Sequence, residues 1–155
     1  MEKYEQISRN CKIIWRPNFN LTTERYTQVS GYIFNENGEL LIVKSNKNWT
    51  IPGGHPELYE YTLGTLIREV MEEACVSIKD IEYLGAVEVV ETEEKYYQLR
   101  YFARVKEIYE FKDKWEVSER KFVKLEDLQK YIVWSNGTTF QEQLASAKKH
   151  IIKKV

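Results

Sequence analysis

Soft-metal chemistry has little to work with in this sequence. Its 155 residues include two cysteines, Cys11 and Cys75, and two histidines, His55 and His150. Neither cysteine belongs to a C-x-x-C pair, so a zinc site and a disulfide framework are both excluded as expectations. An excess of charge is also missing: 23 Lys and Arg against 24 Asp and Glu leave a formal charge of −1. A chain that coats nucleic acid normally carries a basic excess or stripe, so no stable nucleic-acid binding is expected. The basic run 148–154 reads as the solvated end of a helix. No apolar run approaches membrane-spanning length. Residues 1–10 lack the charged-then-apolar order of a signal peptide. The expectation is a cytoplasmic chain with no membrane contact. Repeats and Pro/Gly/Ser linkers are absent, which leaves one domain over 1–155, with 1–25 an N-terminal extension holding at most one strand.

What is present is β-rich and aromatic. Hydrophobic residues make up 43% and aromatics 14%, enough for a packed core and too much for a disordered chain. Residues 11–16 read as a first strand. Residues 26–45 read as two strands around a turn whose Asn37-Gly38 pair is a hairpin signal. A loop follows, punctuated by Pro52, Gly53, Gly54 and Pro56. Over 61–75 the apolar residues Leu63, Leu66, Ile67, Val70 and Ala74 recur at helical steps. Strands are expected at 81–91 and 96–108, paired with each other, and at 120–125. A short helix is expected at 125–132. A longer one at 137–154 carries Phe140, Leu144, Ala147 and Ile151 on one face. Hairpin-joined strands, interrupted by one helix and closed by another, imply an α/β/α sandwich around a mixed sheet. Regular βαβ winding is absent, which argues against a dinucleotide-binding domain.

The central helix carries an unusual load of acid. Glu69, Glu72 and Glu73 stand at i, i+3 and i+4 and share a face, roughly opposite the apolar residues. Glu72 and Glu73 fall in the last turn, where the helix dipole disfavours negative charge. Arg68 is the one cation nearby in sequence. Two readings stay open on the residues alone. One is a solvated acidic face. The other is a site for a hard divalent cation such as Mg²⁺ or Mn²⁺, which takes oxygen ligands and bridges carboxylates to phosphates. Gly53 and Gly54, just upstream, let backbone approach an ion or a phosphate without a Cβ in the way.

Written as a pattern, the stretch is Gly54, five residues, Glu60, seven residues, then Arg68-Glu69-Val70-Met71-Glu72-Glu73-Ala74-Cys75-Val76. It resembles the Nudix box, G-x5-E-x7-R-E-U-x-E-E-x-G-U, where U is a bulky aliphatic residue. Every charged position matches, as do the first glycine and both aliphatic positions. The order of strands extends the resemblance over 26–154. The resemblance implies a Nudix α/β/α sandwich and a hydrolase that needs Mg²⁺ or Mn²⁺. Such enzymes cleave the pyrophosphate linkage of a nucleoside diphosphate joined to another moiety. Carried over by position, Glu69, Glu72 and Glu73 form the metal-binding core, and Glu69 is the favoured general base. The Gly53 carbonyl is a further ligand, Arg68 orients the carboxylates, and Glu60 braces the loop–helix junction. Family members often add one acid from beyond the box. Glu116 is favoured for that role over Glu119, and Glu91, Glu93 and Glu94 read as a solvated turn.

Two family glycines are replaced. Tyr59 precedes Glu60 where glycine is frequent, and Cys75 takes the place of the box glycine. That glycine is expected to end the helix in left-handed conformation. A cysteine there would cost about 1 kcal/mol unless the helix ends differently. Neither change removes a ligand, and no reactive-thiol role is expected for Cys75.

Substrate choice lies outside the box. Trp49, Tyr32, Phe34, Tyr97, Tyr101 and Trp134 are candidates to stack on a base, although core packing would claim most of them. Arg25, Lys44 and Arg100 are candidates for phosphate contacts, with surface ion pairs as the alternative. The proline that often follows the box in ADP-ribose-cleaving members is not evident, and Glu91 occupies that region. The resemblance therefore leans to a MutT-type nucleoside triphosphate pyrophosphohydrolase acting on a small nucleotide. ADP-ribose, dinucleoside polyphosphates and capped RNA remain open, and a homodimer is compatible with the family. A different class, a catalytically silent Nudix-fold module that senses a nucleotide or binds a partner, would be expected to lose box acids. This chain keeps them all.

Overall fold

A computed structural model describes residues 3–114 and 116–152. Nine strands and two α-helices follow in the order β1 (Glu5–Ser8), β2 (Cys11–Pro17), β3 (Tyr26–Phe34), β4 (Leu40–Ser45), β5 (Asn48–Thr50), β6 (Gly53–Gly54), α1 (Thr62–Ala74), β7 (Val76–Glu91), β8 (Lys95–Ile108), β9 (Val117–Val123) and α2 (Thr138–Ile152). Short 3₁₀ turns at Leu125–Lys130 and Val133–Asn136 lead into α2. The sheet runs β1-β2-β7-β8-β3-β4-β5, with β6 beside β3 and β9 beside β4. The β3–β8 pair is parallel and the other pairs are antiparallel, so the sheet is mixed as expected.

Strand alternation divides the core in two. Tyr32 and Phe34 of β3 and Leu40 and Ile42 of β4 pack with Phe140, Leu144 and Ala147 of α2. Their neighbours Val29, Ile33, Leu41 and Val43 face the other way and pack with Leu66, Val70 and Ala74 of α1. The result is an α/β/α sandwich.

Several boundaries differ from the sequence reading. The 26–45 hairpin is closed at Asn35, whose Oδ1 accepts the Asn37 and Glu39 N–H groups. Only Phe34 and Leu40 then pair across it. Beyond that point β3 takes Gly53–Gly54 as its partner and β4 takes β5, while β9 pairs with β4 from Leu40 to Ser45. The expected two-strand hairpin is thus a split, with β6 filling the opening. The strand expected at 81–91 begins at Val76, directly after α1, and that expected at 120–125 runs Val117–Val123. The N-terminal extension supplies two strands rather than one. The short helix at 125–132 is a 3₁₀ turn. The C-terminal helix is seen to Ile152, and positions 153 and 154 lie outside the described residues.

Candidate active site

Helix α1 is positioned by a narrower apolar stripe than its periodicity suggests. Thr65, Leu66, Val70 and Ala74 are buried, whereas Leu63 and Ile67, expected inside, are 45% and 47% exposed. The stripe is rotated toward Glu69 and Glu73, which are half-buried rather than on an outer face. The cause is the glycine strand β6 lying against that side of the helix. A Cβ on Gly54 would come within 2.6 Å of both Glu69 carboxylate oxygens, so the glycine makes the space the acid occupies. Next to it, the Gly53 N–H donates to Glu73 Oε1 at 2.8 Å.

Arg68 organises the remaining acids. Its Nε and Nη2 donate to the two oxygens of Glu60 at 2.7 and 3.0 Å. Its Nη1 donates to Glu69 at 2.8 Å and to Glu72 at 3.2 Å, and Nη2 also reaches the His55 carbonyl at 3.0 Å. Glu60 in turn accepts from the Thr65 hydroxyl at 2.7 Å and the Glu57 N–H at 3.0 Å. Glu60 therefore ties the incoming loop to the first turns of α1. The Arg68 guanidinium holds the Glu60 carboxyl down to about 2. Burial pushes Glu69 up despite Arg68. Glu73 is pushed up to about 7, chiefly by burial and further by the charges of Glu69, Glu116 and Glu72, against the Gly53 N–H that favours its ionised form.

Beyond the box, the two acids separate. Glu116 is close enough for its charge to act on Glu73, whereas Glu119 extends from β9 toward Lys44, 3.6 Å away. Arg120, also on β9, donates to the carbonyls of Ala74 and Cys75 at 2.7 and 3.3 Å. It supplies the cation that the last turn of α1 lacks. Sequence reading missed it because it lies 46 residues from Ala74. Cys75 ends the helix at φ 56°, ψ 45°, its N–H bonded to the Met71 carbonyl. The helix thus ends in the left-handed conformation expected of the family glycine.

The donor set suits a hard divalent cation: carboxylate oxygens, two of them with pKa values raised by burial, beside a glycine strand open to a carbonyl ligand. Among the described residues no three acids are already gathered about one point as an ion shell would need. Arg68 draws Glu60, Glu69 and Glu72 to itself, while Glu73 turns to Gly53.

On the α2 side of the sheet lies a pocket of about 350 Å³. Tyr32, Trp134 and Phe140 give it aromatic walls, and Gln28, Gln98, Arg100 and Gln143 a polar one. Trp134 and Phe140 meet edge to face at 5.1 Å. The pocket and the acids are joined through the sheet: Arg100 of β8 pairs with Ser30 of β3, and Ser30 with Gly53 of β6. Strand spacing puts Arg100 and Gly53 roughly 10 Å apart. Of the other sequence candidates, Arg25 bonds Glu94 at 3.3 Å, and Trp49 packs on Tyr131 with Lys44 above it. Phe34 is in the core, Tyr97 bonds buried Glu88, and Tyr101 bonds Thr62. The three glutamines were missed. For Gln28 and Gln98 the signal was polar residues alternating along apolar strands, with Ser30 and Arg100, whereas Gln143 lies on α2 and carried none.

These features define a class: an α/β/α sandwich with an arginine-clamped acidic helix beside a glycine strand on one face of the sheet and a ligand-sized pocket on the other. The NUDIX domain model matches residues 24–143, and the chain belongs to the Nudix hydrolase family. Among solved structures, the Bacillus subtilis pyrophosphohydrolase BsRppH aligns with a TM-score of 0.80 at 19% identity, over 97% of this chain and 98% of that one. The MutT protein of Methanosarcina mazei Go1 aligns with a TM-score of 0.60 at 24% identity, over 86% and 100%. An ADP-ribose pyrophosphatase from Streptococcus suis gives 0.60 at 20%, over 83% and 92%. At these identities the structures speak for the fold. No curated protein matches the sequence at a significant level.

Proposed function

We propose that the protein hydrolyses the pyrophosphate linkage of a nucleoside diphosphate joined to another moiety, as a MutT-type nucleoside triphosphate pyrophosphohydrolase dependent on Mg²⁺ or Mn²⁺. The observation that carries this reading is the set of box acids held by Arg68 and Gly53, with a pocket of flat aromatic walls two strands away along the register row Gly53–Ser30–Arg100. A nucleoside seated in the pocket would have to lead its phosphates past β6 to reach the acids, which lie on the other face of the sheet. When bound, the divalent ions offset phosphate charge and make an attacking water more acidic. Glu69, Glu72, Glu73 and the Gly53 carbonyl would hold them, with Glu116 as the added acid. Glu69 would take the proton from the attacking water, a general-base role that needs hydrogen-bond reach. Arg68 fixes the Glu69 and Glu72 carboxylates, and Glu60 fixes Arg68. A silent nucleotide-sensing module is the weaker reading, because nothing in the box acids is lost. Hydrolysis of a nucleotide panel with Mg²⁺ or Mn²⁺ tests the proposal, comparing the wild type with Glu72→Gln and Glu73→Gln. Turnover that drops at least a hundredfold in both variants is expected. No turnover of any substrate, or none lost in the variants, defeats it.

A further inference from the structure

The pocket wall has a one-sided hydrogen-bonding character. Arg100 donates from Nε to Gln143 Oε1 at 3.1 Å, from Nη1 to Gln28 Oε1 at 3.1 Å and from Nη2 to Gln98 Oε1 at 3.3 Å. Its one other bond is to its neighbour's carbonyl, Leu99 O. Among the described residues no carboxylate pairs with it. A guanidinium can only donate, so each carboxamide must turn its oxygen to Arg100 and its NH₂ away. The Tyr32 hydroxyl donates to the same Gln143 oxygen at 2.8 Å. The amide nitrogens of Gln28, Gln98 and Gln143 bond to none of the described protein groups, and all three residues line the pocket. The wall therefore offers N–H groups and positive charge. Among the described residues the one carboxylate lining the cavity is Glu5, whose Oε1 accepts the Thr139 N–H at 3.0 Å.

We propose that this pocket selects a 6-oxopurine base, guanine or hypoxanthine, over a 6-aminopurine such as adenine. The inference rests on the nucleotide reading above and narrows its substrate class. A 6-oxopurine presents two adjacent acceptors, O6 and N7, on one edge, the pattern that guanidinium and amide donors complement. Its N1–H, and in guanine the 2-amino group, are donors for which the Glu5 carboxylate is the charged acceptor in the described lining. Adenine would set its N6–H₂ donor against a wall of donors, and the unpaired group costs on the order of tenfold in affinity or more. The aromatic walls favour a flat ring over a second phosphate in this space. The consequence is that substrates built on adenosine are poor ones, whatever group lies beyond their phosphates.

The test uses binding without turnover. The full chain in EDTA is titrated with GMP, IMP, AMP, CMP and inorganic phosphate, followed by Trp fluorescence and by calorimetry. GMP and IMP are expected to bind at least tenfold more tightly than AMP and CMP, with inorganic phosphate weaker still. Arg100→Met is expected to abolish the preference. Because that change risks the packing around it, Gln98→Met and Gln28→Met provide a second route, each expected to reduce the GMP-to-AMP ratio severalfold. AMP binding as tight as GMP, phosphate binding as tight as GMP, no GMP binding, or a preference that survives all three substitutions would overturn the proposal. The hydrolase reading is judged separately, by turnover in the Glu72 and Glu73 variants.

Discussion

Glu73 and Gly53 are joined across 20 residues of sequence by one hydrogen bond, backbone N–H to carboxylate, at 2.8 Å. That bond pins the end of α1 to the strand that opens the site. It also sets a conflict, because Glu73 is driven up to about 7 by burial and by neighbouring acids.

The conflict predicts how metal-free protein responds to pH. A carboxyl whose folded pKa lies above its unfolded value contributes stability below the unfolded pKa, about 4.5. That contribution is lost as pH rises through about 7. The loss is on the order of 3 kcal/mol. Glu73→Gln should remove it. In EDTA the variant is expected to gain stability relative to wild type at pH 8 and nothing at pH 4, read as the difference between paired urea denaturations. A gap that does not widen with pH would contradict the burial assigned to Glu73.

Glu60 should show the opposite sign. Arg68 holds its carboxyl down to about 2, so the stability from this pair is present above about 4.5 and lost as pH falls through about 2. In Arg68→Ala the Glu60 carboxyl is expected to rise toward its usual 4.5, held below it by the Thr65 hydroxyl and the Glu57 N–H, a movement that side-chain ¹³C NMR follows directly. Arg68→Lys should recover only part of it, because an ammonium cannot make the forked contact to both Glu60 oxygens.

Much of this frame was legible in the sequence because it is local. The box acids, the helix that carries them and the Arg68–Glu60 brace lie within a short span, and spacing on a helix fixes which side chains meet. The rotation of α1 was not legible. Leu63 and Ile67 fit the helical period as well as Leu66 and Val70 do, and only the packing of β6 against Glu69 and Glu73 decides which stripe is buried. The split of the 26–45 hairpin was hidden for a similar reason: β6 is two glycines long, too short to leave a strand pattern. Arg120 reaches the end of α1 from β9, Gln28 meets Gln98 in the β3–β8 register and Gln143 comes from α2, so tertiary packing and register rather than distance along the chain bring these residues together.

Cys75 is the one place where the chain departs from the box, and its backbone still takes the conformation a glycine would. Comparing Cys75→Ala with Cys75→Gly isolates the cost, since both lose the thiol and only alanine keeps a Cβ. Glycine is expected to exceed alanine by about 1 kcal/mol in denaturant unfolding. Arg120 caps the same helix end, so hydrogen exchange at the Cys75 N–H should quicken in Arg120→Ala while the glycine variant leaves it protected. Equal stability of the alanine and glycine variants would mean that the helix relaxes away from the left-handed cap.

Gly54 offers the sharpest separation of catalysis from folding. An added Cβ would lie 2.6 Å from both Glu69 oxygens, so the carboxylate must move. Glu69 is part-exposed and held by Arg68 rather than by core packing, so it can swing away at small cost to the fold. Gly54→Ala is therefore expected to keep its cooperative unfolding and its nucleotide binding in EDTA. Its hydrolysis with Mg²⁺ should fall at least tenfold if Glu69 is the base as proposed, because a displaced base loses hydrogen-bond reach to the water it must deprotonate. Placing the same methyl group at Gly38, where nothing lies within 4 Å of the added Cβ, is the control. It strains a positive φ of 74° in a turn far along the chain from the acids, so it should lower stability and leave turnover unchanged. If Gly54→Ala retained full turnover, Glu69 would not be the group that receives the proton.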